Sequence, residues 1–240
     1  MNLSEKDYIK LYHLQDKFLS WWVKLDFPFY LTGGTALGRF YLEHRFSEDL
    51  DFFVNANNNY QNYIIELKNR IIKHFDVNIQ QSLFYDDYSR FYISDNSEIF
   101  LKIEFVNDVK HHANSPLSFK YGKIDTPLNI LANKLTALLS RDEPKDIVDI
   151  IHLALNYSFN WVDIFHHAKQ KALINELDIE QRLVSFPIDW LKNVKWLDQP
   201  IDLIKNRNIL NQIADDFLLG KMNSVGKQKA AIETAKPLNQ

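Results

Sequence analysis

The pattern of apolar residues changes at Pro127, and this change constrains the fold more than any other feature of the chain. Before it, segments such as 101–105 (LKIEF) alternate between apolar and polar residues, as a strand with one buried face does. After it, strand signals stop and apolar residues recur at helical spacing. We therefore expect an α+β domain over 1–126 and a helical bundle domain over 127–240. The helices predicted in the second part are 128–140, 144–157, 160–173 and about 202–220.

The first part is expected to build one mixed β-sheet flanked by helices. A capping-box-like start at Ser4 begins the first helix, and Pro28 ends it. Gly33-Gly34 then turns the chain from a short buried strand into a second helix that runs to about Glu43. The order helix, strand, helix, strand, helix and a run of strands is typical of an α+β domain. The other expected helices are 4–26 and 60–75, and the expected strands are 29–31, 49–54, 77–84, 88–94 and 99–106.

The composition, 46% hydrophobic and 14% aromatic, is that of an ordinary globular protein with a well-filled core. No apolar run reaches the length of a membrane span and the N-terminus lacks signal-peptide features, so we expect a cytoplasmic protein without a membrane partner. The absence of Cys excludes a disulfide framework, a thiol nucleophile and a thiolate zinc site. A net charge of −3 requires a local basic patch for any nucleic-acid partner. The tail, 221–240, is rich in lysine with few large apolar residues, and is expected to be frayed.

Three acidic residues are predicted to share one face of the sheet. Strand alternation places Asp49 and Asp51 on the same side of one strand, and Glu104 with Lys102 on the polar side of another. Carboxylates packed together without a cation repel one another, so the pattern favours Mg²⁺, which prefers oxygen ligands. Three carboxylates also suit a two-metal site, in which one ion lowers the pKa of an attacking hydroxyl and the other neutralises phosphates.

A glycine pair precedes the two aspartates. Gly33-Gly34-Thr35 lies between a predicted strand and a predicted helix, where backbone N–H groups and the positive helix end can bind a triphosphate. The plainer interpretation of the glycines is a turn, and that of Glu104 is a carboxylate paired with Lys102 or another base. The histidine pairs at 111–112 and 166–167 are not interpreted as a metal site, because adjacent side chains point in different directions.

These features occur in one order and spacing in the run GGTALGRFYLEHRFSEDLDFF, residues 33–53. The run resembles the signature of the DNA polymerase beta-type nucleotidyltransferases. It is most similar to the AbiEii/AbiGii toxin nucleotidyltransferases, which share the Gly-Gly-Thr/Ser-Ala-Leu start, the His-Arg-x-Ser box and the Asp-Leu-Asp ending. The resemblance implies that Asp49 and Asp51 are metal ligands and that Glu104, where the family often has Asp, completes the cluster. It assigns to nucleotide binding Gly33, Gly34, Thr35, Arg45 and Ser47.

The same family has a later motif with a Lys, an Arg and an (Arg/Lys)-Asp-x-x-Asp element, and residues 133–150 read NKLTALLSRDEPKDIVDI. Lys134 and Arg141 are expected on one face of one helix, because they stand at positions i and i+7. The resemblance implies that Lys134 contacts nucleotide phosphates and neutralises charge in the transition state, and that Asp146 helps to shape the nucleotide site. Asp149 either shares that role or serves as a helix cap or an ion-pair partner.

The function implied by the resemblance is transfer of an NMP from an NTP, with Mg²⁺ or Mn²⁺, to an acceptor hydroxyl. The acceptor is expected to be tRNA, another RNA or a protein, in a toxin–antitoxin or phage-defence system that includes a cognate antitoxin protein. Two alternatives use the same residues. One is a small-molecule nucleotidyltransferase of the antibiotic-modifying type, and the other is a catalytically silent domain that acts as an RNA-binding or antitoxin-like partner.

Overall fold

The computed structural model describes residues 4–94, 99–197 and 201–238, which contain eight α-helices and eight β-strands. In chain order they are α1 (Glu5–Trp22), β1 (Tyr30–Thr32), α2 (Gly33–Phe40), β2 (Leu50–Asn55), α3 (Tyr60–Ile72), β3 (Asp76–Val77), β4 (Leu83–Phe84), β5 (Tyr88–Ser94), β6 (Leu101–Asp108), β7 (Leu117–Phe119), β8 (Gly122–Ile124), α4 (Pro127–Ser140), α5 (Pro144–Asn156), α6 (Trp161–Lys169), α7 (Glu176–Ser185) and α8 (Leu203–Leu218). Two 3₁₀ turns, Ile188–Asn193 and Ile232–Thr234, complete the structure.

The described strands form one mixed sheet in the order β3-β5-β6-β2-β1-β8-β7, with β4 also paired to β5. The pairs β2–β6 and β1–β8 are parallel, and all the other pairs are antiparallel. Helices flank this sheet, so the predicted mixed sheet is confirmed. The parallel pairing of β2 with β6 matters most for the site, because it sets Asp51 beside Glu104.

The apolar face of β2 packs against the first helix. Leu50 and Phe52 are almost completely buried, while the intervening Asp51 points to the other face of the sheet. The ring centroids of Trp22 and Phe52 lie 4.5 Å apart and those of Phe18 and Phe52 lie 6.0 Å apart, so α1 covers this strand. Burying one such aromatic side chain contributes about 1.5–3 kcal/mol to stability. The carboxylate face of β2 is therefore built on a rigid, closely packed support.

The helices that follow Pro127 begin where the sequence indicates. Pro127 and Pro144 each occupy the first turn of a helix, where a missing N–H costs little, and the Thr126 side chain caps α4. Buried side chains before and after Pro127 form one continuous hydrophobic core. The division at 126/127 and the bundle arrangement of the later helices stay predictions. None of the helices in the described ranges is long and apolar enough to cross a membrane.

Three elements differ from the predictions. The β7–β8 hairpin and α7 were not predicted, and the segment 77–84 contains two short strands in place of one. Strands of two or three residues are too short to show a period-2 pattern. In α7 only Ile179 and Leu183 are buried, which leaves a weak helical pattern in the sequence. The other predicted helices and strands are confirmed, with ends that shift by a few residues.

The prediction of a frayed tail is wrong for its described part, 221–238. Asn223 is fully buried and its side-chain amide donates to the carbonyl oxygens of Ala154 and Tyr157 at the end of α5, at 2.7 and 2.8 Å. Gly226 packs against the same two carbonyls, where any Cβ would collide. The tail is held by hydrogen bonds and by close backbone packing, and hydrophobicity alone does not reveal either. Residues 239–240 lie outside the described part of the chain.

Candidate active site

Four charged side chains form a compact block on one face of β2 and β6. Asp51 lies directly opposite Glu104 in the parallel register, and Asp49 precedes β2 on the same face. The Lys102 Nζ lies 2.8 Å from Asp49 Oδ2 and 3.3 Å from Glu104 Oε2. The structure thus brings the three predicted metal ligands together, and it also shows the Lys102–Glu104 pair that was the plainer interpretation.

The three carboxylates differ in how readily they ionise. Burial, reinforced by the negative charges of Asp49 and Glu104, raises the pKa of Asp51 to about 7. Burial also raises the pKa of Asp49, although Lys102 opposes this. Burial would raise the pKa of Glu104 too, but hydrogen bonds from Tyr88 and Lys102 outweigh it and lower the pKa. The block therefore carries excess negative charge that its single lysine does not neutralise.

The donor atoms of this block fit a hard divalent cation. All are carboxylate oxygens, which Mg²⁺ and Mn²⁺ accept, and a bound cation would favour ionised Asp51 against the burial and the neighbouring negative charges that raise its pKa. Within the described residues, no three His, Asp or Glu side chains already form a cage that could hold a metal ion. An ion with a few protein ligands plus phosphate oxygens matches such an open site, and this is how Mg²⁺ usually binds.

The glycine pair forms the first turn of α2 beside Asp51. Gly33 has φ +70°, a left-handed conformation that favours glycine, and a side chain there would collide with the Asp51 carboxylate. The N-cap residue Thr32 makes no side-chain cap bond, because its hydroxyl donates to Asp125 instead. The first N–H groups of α2 thus receive no capping acceptor from Thr32, as a phosphate-binding helix end requires.

The loop that carries the His-Arg-x-Ser motif is fixed from several sides. The Phe46 N–H donates to the Lys195 carbonyl at 2.8 Å, and the Ser47 N–H donates to the Tyr12 hydroxyl at 3.1 Å. The Thr35 hydroxyl donates to the Asp49 carbonyl, and its oxygen forms a hydrogen bond of 2.8 Å with the Ser47 hydroxyl. Thr35 is completely buried, and its hydrogen bonds join α2 to the segment that leads into β2.

Arg45 extends from this loop to the second part of the chain. Its Nε and one terminal nitrogen bind the two carboxylate oxygens of Asp149, both at 2.7 Å. Lys134 Nζ and His44 Nε2 lie 2.7 and 2.8 Å from the same carboxylate. Burial alone would raise the pKa of Asp149, but Arg45 and Lys134 hold it well below the usual value. Asp149 is thus an ion-pair partner, one of the roles considered from the sequence.

Lys134 is shared between two carboxylates. Its ammonium lies 2.6 Å from Asp146 Oδ1, and Arg141 binds both oxygens of Asp146 at 2.8 and 3.0 Å. Asp146 is almost completely buried, and Lys134 is 5% exposed. Arg141 does not belong to α4 as predicted, because the helix ends at Ser140 and Arg141 is its extended C-cap. It reaches Asp146 because the chain turns back there into α5.

A cleft of about 850 Å³ joins these parts, and most of the predicted site residues line it. Lys134 lies in its wall, together with the glycine pair, Arg45, Ser47 and the three carboxylates. Four further lining residues, three of them lysines, were not predicted from the sequence as site residues. They are Lys145, Lys171, Trp190 and Lys195. Only Lys145, next to Asp146 in the motif, had a signal in the sequence; the others come from elements that meet only in the folded chain.

The two histidine pairs make one contact that their spacing in the sequence does not predict. His111 Nε2 lies 3.0 Å from His167 Nδ1, with the rings stacked at 5.3 Å. One member of each pair therefore meets the other between the loop that follows β6 and helix α6. Two imidazoles alone are fewer than the three or four ligands of a typical zinc site.

Comparison with solved structures defines the class of fold. The chain is similar to JHP933 from Helicobacter pylori, with TM-score 0.59 and 23% identity over 90% of this chain and 94% of that one. It is also similar to MenT4, a nucleotidyltransferase toxin from Mycobacterium tuberculosis, with TM-score 0.60 and 15% identity over 89% and 84% of the two chains. The fold, with its carboxylate strands and glycine turn, is that of a nucleotidyltransferase.

The family follows from a comparison of sequences. The family model described as nucleotidyl transferase AbiEii toxin, type IV TA system, matches residues 20–208. The chain belongs to this family of toxin–antitoxin nucleotidyltransferases, which confirms the resemblance found in residues 33–53. No curated protein matches the chain.

Proposed function

We propose that the protein transfers a nucleoside monophosphate from an NTP to an acceptor hydroxyl, with Mg²⁺ or Mn²⁺ as cofactor. One observation carries the proposal: the block of Asp49, Asp51 and Glu104 and the first turn of α2, which Thr32 does not cap, line one cleft, with Gly33 next to Asp51. A triphosphate bound to that turn would lie beside the carboxylates. The acceptor hydroxyl loses its proton to solvent water and its oxygen forms a bond to the α-phosphorus. The bond between the α-phosphorus and the oxygen that bridges to the β-phosphate breaks, and pyrophosphate leaves.

The carboxylates are proposed to be the metal ligands. Bound Mg²⁺ or Mn²⁺ would lower the pKa of the acceptor hydroxyl and neutralise the phosphates. Asp51 and Glu104 face each other from neighbouring strands, and the packed core beneath β2 fixes their spacing. The amides at Gly33 and Gly34 hold the phosphates, and Ser47 and Thr35 hold the loop and the helix in register.

Lys134 is proposed to supply positive charge to the phosphates from the cleft wall. An ammonium group has three N–H donors, and Asp146 and Asp149 account for two of those of Lys134. The third donor is available to a phosphate oxygen in the cleft. Asp146 and Arg45 are proposed as positioning residues. Asp146 orients Lys134, and Arg45 joins the loop of the His-Arg-x-Ser motif to α5.

The acceptor is proposed to be the 3′ end of tRNA or another RNA. Lys145 and Lys195 supply local positive charge in a chain of net charge −3, and Trp190, 41% exposed, offers a ring for base stacking. A protein acceptor stays an alternative outcome of the test. Membership of the toxin family supports a cognate antitoxin protein that limits this activity in the cytoplasm.

A labelling experiment tests the proposal. The protein is incubated with each α-labelled NTP, Mg²⁺ or Mn²⁺, and total cellular RNA, total protein or a panel of small hydroxyl compounds. Label is expected in RNA. The Asp49→Ala/Asp51→Ala double variant should lose it, and the control Asp86→Ala/Asp87→Ala, which removes two exposed carboxylates outside the cleft, should keep it.

The other results would assign a different function. Label only in small molecules would indicate the antibiotic-type enzyme, and label only in protein would replace the RNA acceptor. Transfer that persists in the Asp49/Asp51 double variant would refute the mechanism. A folded wild-type protein that binds no NTP and labels nothing would favour the silent RNA-binding or antitoxin-like partner.

A further inference from the structure

The cation already present in the carboxylate block is Lys102. Its ammonium lies 2.8 Å from Asp49 and 3.3 Å from Glu104, between two of the three proposed metal ligands. Carboxylate oxygens bind Mg²⁺ at about 2.0–2.1 Å, so an ion held by these two residues would compete with the ammonium for the same oxygens. An ion that takes Asp49 Oδ2 and Glu104 Oε2 displaces the ammonium from both contacts.

Lys102 is free to leave, whereas the other central lysine is not. The Lys102 side chain is 24% exposed and projects from β6 into a cleft of about 850 Å³. Its four-carbon stem is flexible and its charged end gains hydration when it moves out. Lys134, by contrast, is 5% exposed and is held by two buried carboxylates at 2.6 and 2.7 Å. Among the lysines described in this cleft, only Lys102 forms ion pairs with the proposed metal ligands and has room to move.

We infer that Lys102 is an exchangeable internal cation, which neutralises Asp49 and Glu104 until a divalent cation binds and which must withdraw before both can coordinate it. The inference rests on the proposed function for the identity of the metal ligands. It explains how three clustered carboxylates are accommodated in a folded chain without metal. It also means that metal affinity in the wild-type protein is reduced by the free energy needed to displace the ammonium.

The test compares Mn²⁺ binding by the full chain and its variants, with Mn²⁺ alone as the probe and the free ion measured by electron paramagnetic resonance. Lys102→Met should bind Mn²⁺ at least about fivefold more tightly than wild type, the lower end of typical coupling between competing ligands. Lys102→Arg, which keeps the charge, should remain within about twofold of wild type. Melting curves verify that each variant is folded.

Lys145→Met is the matched control. It removes the same charge from the same cleft, and in the described structure Lys145 acts on Asp49 through its charge but forms no ion pair with the block. Its effect therefore measures the general loss of positive charge, and it should be less than about twofold. Equal gains in Lys102→Met and Lys145→Met, or no gain in Lys102→Met, would overturn the inference.

The labelling experiment separates this inference from the proposed function. If wild type transfers label and Lys102→Met binds Mn²⁺ no more tightly, only the inference on Lys102 is wrong. If Lys102→Met gains affinity but wild type labels no acceptor, the inference holds and the proposed transfer is wrong.

Discussion

Replacing Asp149 by Asn should destabilise the protein strongly, although the new side chain has nearly the same shape. Asp149 is completely buried and binds Arg45 through two bonds of 2.7 Å, with Lys134 Nζ at 2.7 Å. The substitution leaves the Arg45 guanidinium, itself 3% exposed, without a carboxylate. Arginine cannot lose its proton to escape this cost. Lys134 retains Asp146, so the loss falls mainly on Arg45.

The magnitude follows from that unpaired charge. Removing one partner of a buried ion pair costs about 3–5 kcal/mol, a large part of the 5–15 kcal/mol that holds a typical domain folded. For a chain of this size, each kcal/mol lowers Tm by about 2–4 °C, so Asp149→Asn should melt about 6–20 °C below wild type. The measurement is thermal and urea unfolding, followed by circular dichroism.

The control is Asp189→Asn, which removes the same charge from an exposed pair with Lys192. Exposed pairs contribute at most about 1 kcal/mol, so this variant should melt within a few degrees of wild type. An Asp149→Asn protein whose free energy of unfolding lies within about 1 kcal/mol of wild type would refute the reasoning. The ion pairs of Asp149 would then make no net contribution to stability.

The pH dependence of protein stability gives a second test of the role of Asp149. Its pKa is held well below the usual value by Arg45 and Lys134 against the effect of burial, so the ionised form stabilises the folded state. That contribution is fully present above the unfolded pKa of about 3.9 and is lost as pH falls through the folded pKa. The stability gap between wild type and Asp149→Asn should be constant from pH 7 to about 5, and should narrow in stronger acid.

Three further predictions concern other parts of the structure. Gly33→Ala should lower label transfer by about a hundredfold, as kinetic assays of the folded variant can check. The left-handed φ costs an alanine about 1–2 kcal/mol, and its methyl group displaces the Asp51 carboxylate. Asp51→Asn should abolish transfer yet stabilise the metal-free protein by about 1 kcal/mol at pH 8, with little gain at pH 4. The reason is that the pKa of Asp51 is raised to about 7, so the ionised carboxylate is unfavourable in the folded protein above that pH. Melting curves recorded in a metal chelator test this. Gly226→Ala should cost about 1–3 kcal/mol and speed hydrogen exchange over 221–238, and unchanged exchange would show that the tail is not held as described.

The grouping of the candidate site residues in the first part could be predicted from the sequence because the information for it is local. Strand alternation alone places Asp49 with Asp51 and Glu104 with Lys102, and only the pairing of β2 with β6 was needed to join them. The strand order cannot be read from the chain, because it depends on which edges meet in the folded sheet. The same limit hides the cleft wall formed by Trp190 and Lys195. That wall depends on a backbone contact between the segment around Lys195 and the loop at Phe46, about 150 residues earlier in the chain.

The approach of a phosphate is an incomplete explanation for the two glycines of the motif. From the sequence, their small size was explained by the approach of a phosphate. In the structure the space beside each glycine is already occupied by the protein: Asp51 fills it at Gly33, and a Cβ on Gly34 would lie 2.5 Å from the Arg45 guanidinium and 3.1 Å from Ser47 Oγ. The glycines therefore admit the carboxylate and the arginine of their own motif before any ligand binds. Because Arg45 binds Asp149, and Asp149 binds Lys134, a side chain at Gly34 would disturb Lys134 as well as the phosphate-binding turn. The spacing of the motif is thus a packing constraint that couples the glycine turn to Lys134.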